Sequence, residues 1–297
     1  MINEFRGTGV ALVTPFRNGE IDFDGLEKVI EHTLSGKVEF LVSLGTTGEA
    51  VTLSEKEKLQ ILEFTAVVVK GRVPLVAGFG GNNTASLLEA VKAFHFKGYQ
   101  AILSASPSYN KPTQEGIFQH FMALESVAPR PIILYNVPGR TSSNMTAQTT
   151  VRLAKASSKF IAVKEASGDM VQCMEIVRDR PENFLLLSGD DVLTLPMLGF
   201  GGDGLISVVA NAFPKEYSEM VRHGLDGHFG KARPNHYALM DIIDLLFVDG
   251  NPGGVKYALE TLGICSSELR LPLVSISETT KQALQSAIST LQTAKPQ

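Results

Sequence analysis

The chain is poor in cysteine, has no long apolar run and shows no excess of positive charge, and each shortage closes off a class of function. Cys173 and Cys265 are the only two thiols in 297 residues, too few for a disulfide framework and without paired metal spacing. They are expected to be buried thiols. No stretch of about 18 or more apolar residues occurs, so no membrane span is expected. Lys and Arg number 27 against 31 Asp and Glu, a net charge of −4, which argues against a nucleic-acid partner. The opening residues MINEFRGTGVALVTPF lack both the basic-then-apolar pattern of a secretory leader and the arginines of a transit peptide, and a cytoplasmic protein is expected. None of the six histidines stands in H-E-x-x-H, and no metal site is read. GFGGDG at 199–204 spells G-x-G-x-x-G but precedes a strand-like run, whereas a dinucleotide loop follows a strand and opens a helix. It reads as a turn. GFGGNN further upstream lacks the GK[ST] of a phosphate loop, and no G-x-S-x-G is present.

What the sequence does hold is a rhythm. Strand-like apolar runs begin at Gly9 (GVALVTP), Phe40 (FLVSLG), Val73 (VPLVAGF), Ala101 (AILSAS), Ile132 (IILYNV), Phe160 (FIAVK), Phe184 (FLLLSG) and Gly204 (GLISVVA). Segments of helical spacing separate them, such as Phe23, Leu26, Val29, Ile30 and Leu34, or Leu59, Leu62, Ala66 and Val69. Ser54 and Glu57 form a capping box, and Gly36, Gly71 and Gly98 fall where helices are expected to stop. Alternation of eight strands with helices implies parallel pairing. Runs rich in Val, Ile and Leu are buried on both faces, which fits a (β/α)8 TIM barrel, with a doubly wound sheet as the rival. After the eighth run only helices are expected, over Glu216–Leu225, Phe229–Phe247, Val255–Leu262 and Glu278–Leu291. The expected organisation is therefore a barrel over 1–225 and a C-terminal helical extension over 226–297, packed on the barrel or on a neighbouring subunit.

In such a barrel the reacting groups stand at the C-terminal strand ends. The sixth run closes as FIAVKEASGD. Alternation puts Phe160, Ala162 and Lys164 on one side and Ile161, Val163 and Glu165 on the other. A side with a small neighbour leaves room for a long arm, and loss of water turns an amine into a nucleophile. A strand-end lysine that snorkels to solvent has the same local sequence. The second run ends in GTTGEA, where Thr46 and Thr47 between glycines can donate to a carboxylate or simply close a turn. Pro107 and Pro112 stiffen the loop around Tyr109, which fixes where its phenol points or leaves it a plain surface tyrosine. The fifth run ends in YNVPGRT, with Tyr135 at the tip and Arg140 past a Pro-Gly turn, where a guanidinium can grip a carboxylate through two parallel bonds or lie solvated. The seventh ends at Gly189, before Asp190 and Asp191, a pair that could equally cap the next helix. Together these are the parts for amine attack on a ketone, proton shuttling and carboxylate binding.

GTTGEA, YNVPGRT and VKEASGD, in this order and at these strand ends, resemble the 4-hydroxy-tetrahydrodipicolinate synthase (dihydrodipicolinate synthase) family, within the wider group of Schiff-base pyruvate lyases and aldolases. The likeness runs over nearly the whole chain. It implies Lys164 as the Schiff-base residue on pyruvate, Tyr135 as proton donor and acceptor, Thr46 as relay hydroxyl and Tyr109 as a tyrosine given to a neighbouring subunit. It further implies Thr47 as binder of the pyruvate carboxylate, Ile206 as a backbone contact, Gly189 in the pocket lining and Arg140 on the carboxylate of aspartate semialdehyde. No cofactor is implied. The substrates would be pyruvate and aspartate semialdehyde, the pathway diaminopimelate and lysine biosynthesis, and the assembly a homotetramer or homodimer. A sialate or sugar-acid lyase of the same group, or a barrel that binds a keto acid without turnover, is the alternative. Lysine-inhibited members often have a tyrosine where this chain has Ser108, and histidines where it has Glu55 and Lys58. Inhibition by lysine is expected to be weak or absent.

Overall fold

The computed structural model describes residues 2–293. Strand β1 (Gly7–Ala11) leads through a small hairpin, β2 (Phe16–Arg17) and β3 (Glu20–Ile21), to β4 (Phe40–Ser43), β5 (Leu75–Gly78), β6 (Ala101–Ala105), β7 (Ile132–Asn136), β8 (Phe160–Glu165), β9 (Leu185–Ser188) and β10 (Gly204–Ser207). All eight apolar runs become barrel strands. They pair in parallel in the order β1-β10-β9-β8-β7-β6-β5-β4, and β1 bonds to both β4 and β10, so the sheet closes. That closure excludes the doubly wound alternative, whose sheet has open edges. At the seam Gly204 (φ +146°) crosses Gly7 so closely that a Cβ on it would lie 2.0 Å from the Gly7 carbonyl oxygen. Only glycine fits there.

The helices are α1 (Phe23–Ser35), α2 (Glu55–Val69), α3 (Thr84–Ala93), α4 (Gln114–Val127), α5 (Pro138–Thr141), α6 (Ala147–Ala156), α7 (Met170–Asp179), α8 (Thr194–Gly199), α9 (Pro214–Leu225), α10 (Phe229–Phe247), α11 (Gly253–Thr261) and α12 (Glu278–Thr293). Side-chain caps start several of them: Asp22 for α1, Thr113 for α4, Thr146 for α6 and Asp169 for α7. The expected box at α2 is present, Ser54 accepting from the Glu57 N–H while Glu57 accepts from that of Ser54. The buried face of α2 runs through Ile61, Leu62, Thr65, Val68 and Val69, which leaves Leu59 about half exposed rather than in the stripe. α3 stops at Ala93, short of Gly98, because Phe94 and Phe96 leave the helical path to pack with Phe79 and Tyr99.

Two apolar layers hold the molecule. One fills the barrel, with Val42, Val76, Leu103, Ile133, Ala162, Leu187 and Ile206. The other lies between strands and helices, each fully buried Val, Leu or Ile contributing about 1.5–3 kcal/mol relative to exposure. Strand β8 departs from simple alternation. Ile132 pairs with Phe160 but Ile133 pairs with Ala162, so the register shifts by one residue at Ile161. Phe160 thus joins the outer layer with Val163, and Ile161 joins the inner one with Ala162. After the bulge the alternation resumes.

Beyond β10, α9 packs on α1 and β1, α10 on α9 and α12, and α11 on α10 and α12. Residues 294–297 of the expected extension lie outside the described residues, as does Met1.

Candidate active site

Lys164 reaches the C-terminal end of β8 and is 5% exposed. In the register it lies opposite Tyr135 on β7, and its Nζ stands 4.4 Å from the centre of the phenol ring. On the other neighbouring strand, β9 gives way to Gly189, whose N–H donates to the Glu165 carbonyl at 2.7 Å. A Cβ at Gly189 would sit 2.6 Å from that of Ala166 and 3.2 Å from Lys164 Cε. A side chain there would crowd the lysine arm. Ile206, on β10, is buried in the same inner layer as Tyr135 and Ala162.

Glu165, on the opposite face from Lys164, is also buried. Asn136 donates to both its oxygens at 3.0 Å, Gln172 to Oε2 at 2.9 Å and the Ser167 N–H to Oε1 at 2.8 Å. Burial pushes its pKa up despite these donors. Asn136 in turn accepts from the Met145 N–H at 2.9 Å and donates to Asn144 at 2.7 Å, tying down both ends of the loop that holds Arg140. The expected Pro-Gly turn is a single helical turn, α5, with Pro138 at its start.

Above the strand ends opens a cavity of about 370 Å³. Thr46, Tyr135 and Arg140 share its wall with Phe79, Ser106 and Ser108. Lys164, Thr47, Gly189 and Ile206 lie outside that wall, the lysine touching the ring of Tyr135, a wall residue. Tyr109 is not brought in. It sits 86% exposed in a left-handed conformation (φ 72°), its N–H donating to the Thr141 carbonyl at 3.3 Å. A buried amine against a phenol, with a hydroxyl and a guanidinium on one concave surface, is equipped to form an imine and to bind a carboxylate.

Residues 4–291 match the model of the dihydrodipicolinate synthetase family. The chain belongs to that family. It is 50% identical over 275 residues to a 4-hydroxy-tetrahydrodipicolinate synthase of Flavobacterium psychrophilum, covering 92% of this chain and 94% of the relative. Among solved structures, a dihydrodipicolinate synthase at 44% identity superposes with a TM-score of 0.94 over 97% of this chain and 99% of the other. A monomeric dihydrodipicolinate synthase variant at 38% identity reaches 0.95 over 98% of each.

Several residues of this family member escaped sequence reasoning. Phe79, Gly80 and Gly81 wall the cavity, and the signal was their place after the third barrel strand, where loops build the site. Asn251, Lys256 and Arg270 approach GTTGEA from behind, more than two hundred residues away in sequence, and no local pattern pointed to them. Asp191 does not cap α8, whose N-cap is Leu193 without a side-chain bond. It is buried instead, accepting from Ser207 Oγ at 2.5 Å and from the Val208 N–H at 3.0 Å, and so pins the end of β10. Desolvation outweighs these donors and pushes its pKa from 3.8 up to about 6. A carboxyl whose pKa is raised by folding gives full stability below its unfolded value and loses it as pH rises through the folded one. Asp191→Asn is therefore expected to flatten stability between about pH 4 and 6. Urea midpoints across that range, compared between the two proteins, check this; parallel profiles would contradict it.

Proposed function

We propose that the chain condenses pyruvate with L-aspartate 4-semialdehyde through a Schiff base on Lys164, as a 4-hydroxy-tetrahydrodipicolinate synthase in diaminopimelate and lysine biosynthesis. The observation that carries the reading is the buried Lys164 amine set against Tyr135 below a cavity walled by Thr46 and Arg140. The Lys164 amine attacks C2 of pyruvate and, with loss of water, gives an iminium ion. That ion is the electron sink: a C3 proton leaves, an enamine forms, and its carbon adds to the aldehyde. The amino group of the second substrate then displaces Lys164 from C2, closing the ring and restoring the free amine. Tyr135 and Thr46 move the protons, Tyr135 as donor and acceptor and Thr46 as relay.

Thr47 binds the pyruvate carboxylate, Gly189 and the Ile206 backbone line the pyruvate pocket around Lys164, below the walled cavity, and Arg140 holds the carboxylate of the semialdehyde. Tyr109, exposed at the rim, completes the relay in a second copy, in a homodimer or homotetramer. The chain divides between residues 225 and 226 into the catalytic barrel and its helical extension. The setting is cytoplasmic.

The test of substrate choice is Arg140→Ala. KM for aspartate semialdehyde is expected to rise by about tenfold or more, the loss of a charge-assisted bidentate contact, with little change in KM for pyruvate. Equal rises for both, or wild-type turnover of N-acetylneuraminate, would overturn the assignment. Ser108, Glu55 and Lys58 support weak or absent feedback by lysine, Lys58 being ion-paired to Glu55 at 2.8 Å. A lysine titration giving tight cooperative inhibition would refute it.

A further inference from the structure

Thr47 is buried, and its hydroxyl receives the Nδ2–H of Asn251 at 3.1 Å, across 204 residues of sequence. Asn251 is itself buried, and its Oδ1 has no hydrogen-bond partner. This is an unusual use of a buried amide, since such groups normally satisfy both ends. The surroundings fix the turn from two sides. Thr14 Oγ1 donates to the Gly48 carbonyl at 2.7 Å, and a Cβ on Gly48 would come within 3.1 Å of the Leu12 carbonyl oxygen. From the C-terminal side, Glu49, in a left-handed conformation (φ 52°), pairs with Lys256 and accepts the Arg270 N–H at 3.2 Å.

A hydroxyl has one proton and two lone pairs. When an amide N–H occupies a lone pair, the proton stays available for an anion. When a carbonyl takes the proton, the hydroxyl can no longer serve a carboxylate. We infer that Asn251 is a positioning residue that holds the Thr47 hydroxyl as a donor, its proton directed at the substrate carboxylate, so that the C-terminal segment completes the pyruvate site from behind. This rests on Thr47 being the carboxylate binder.

A double-mutant cycle on the full-length protein tests it. Thr47→Val is expected to raise KM for pyruvate about tenfold, and Asn251→Ala about fivefold, each with a smaller change in kcat. In the Thr47→Val background, Asn251→Ala is expected to add nothing. Asn251→Asp keeps the shape but takes the hydroxyl proton, so it should raise KM more than Asn251→Ala does, although it is the smaller change in shape. Circular dichroism and borohydride trapping of the pyruvate imine verify that each variant is folded and reactive. Additive effects of Thr47→Val and Asn251→Ala, or an unchanged KM in folded Asn251→Ala, would overturn the inference. An unchanged KM in Thr47→Val would sink the reading of Thr47 itself, leaving the Schiff base untouched.

Discussion

Replacing Lys164 by alanine is expected to lower kcat/KM by on the order of 10⁴-fold or more, because the covalent route is lost rather than weakened. The loss should fall on kcat, since on the proposed reading the pyruvate carboxylate is held elsewhere, at Thr47. Lys164→Arg makes the point more sharply. It keeps a long basic arm, yet a guanidinium does not give up its proton in a protein and forms no imine. Both variants should fail alike in a coupled condensation assay. A Lys164→Arg protein that turned over at even about a tenth of the normal rate would show that charge, and not nucleophilicity, is what the position supplies.

The second large effect concerns stability. Glu49 and Lys256 pair with neither side chain exposed to solvent, and Lys256 Nζ also donates to the Glu268 carbonyl at 2.8 Å and lies 4.2 Å from the ring centre of Phe16. Burial pulls the lysine's pKa down and the facing carboxylate opposes that. Such a pair adds little net stability, but removing one member strands the other charge and costs about 3–5 kcal/mol. Lys256→Met is therefore expected to lower the urea midpoint sharply, and Lys256→Met with Glu49→Gln to recover most of the loss. The single variant should also lose activity, because Glu49 ends the turn that carries Thr46 and Thr47. A single variant as stable as the double would contradict the ion-pair account.

How far the sequence could be read follows from the range of each interaction. The barrel was legible because each strand must be apolar on both faces, and that burial shows up locally as runs of Val, Ile and Leu. GTTGEA and YNVPGRT could be found because strand ends are where a barrel places its chemistry. The bulge at Ile161 could not, since it depends on how β7 and β8 pair and leaves no trace in either strand alone. The end of α3 is not legible for a similar reason: the preference of Phe94 and Phe96 for an aromatic cluster around Phe79 and Tyr99 is tertiary. Asp191 looked like a cap because Asp after a strand often is one, and only the fold brings Ser207 and the Val208 N–H to its carboxylate. The contacts of Asn251, Lys256 and Arg270 with the threonine turn join the two ends of the chain, so no window of sequence contains both partners.

Sodium borohydride reduction in the presence of pyruvate tests the central claim most directly. An imine on Lys164 is fixed as a secondary amine, and peptide mass spectrometry should find one reduced pyruvyl group per chain, on the peptide containing Lys164 and on no other, with activity lost in proportion. An adduct on a different lysine, or an unmodified chain after reduction with saturating pyruvate, would contradict the account.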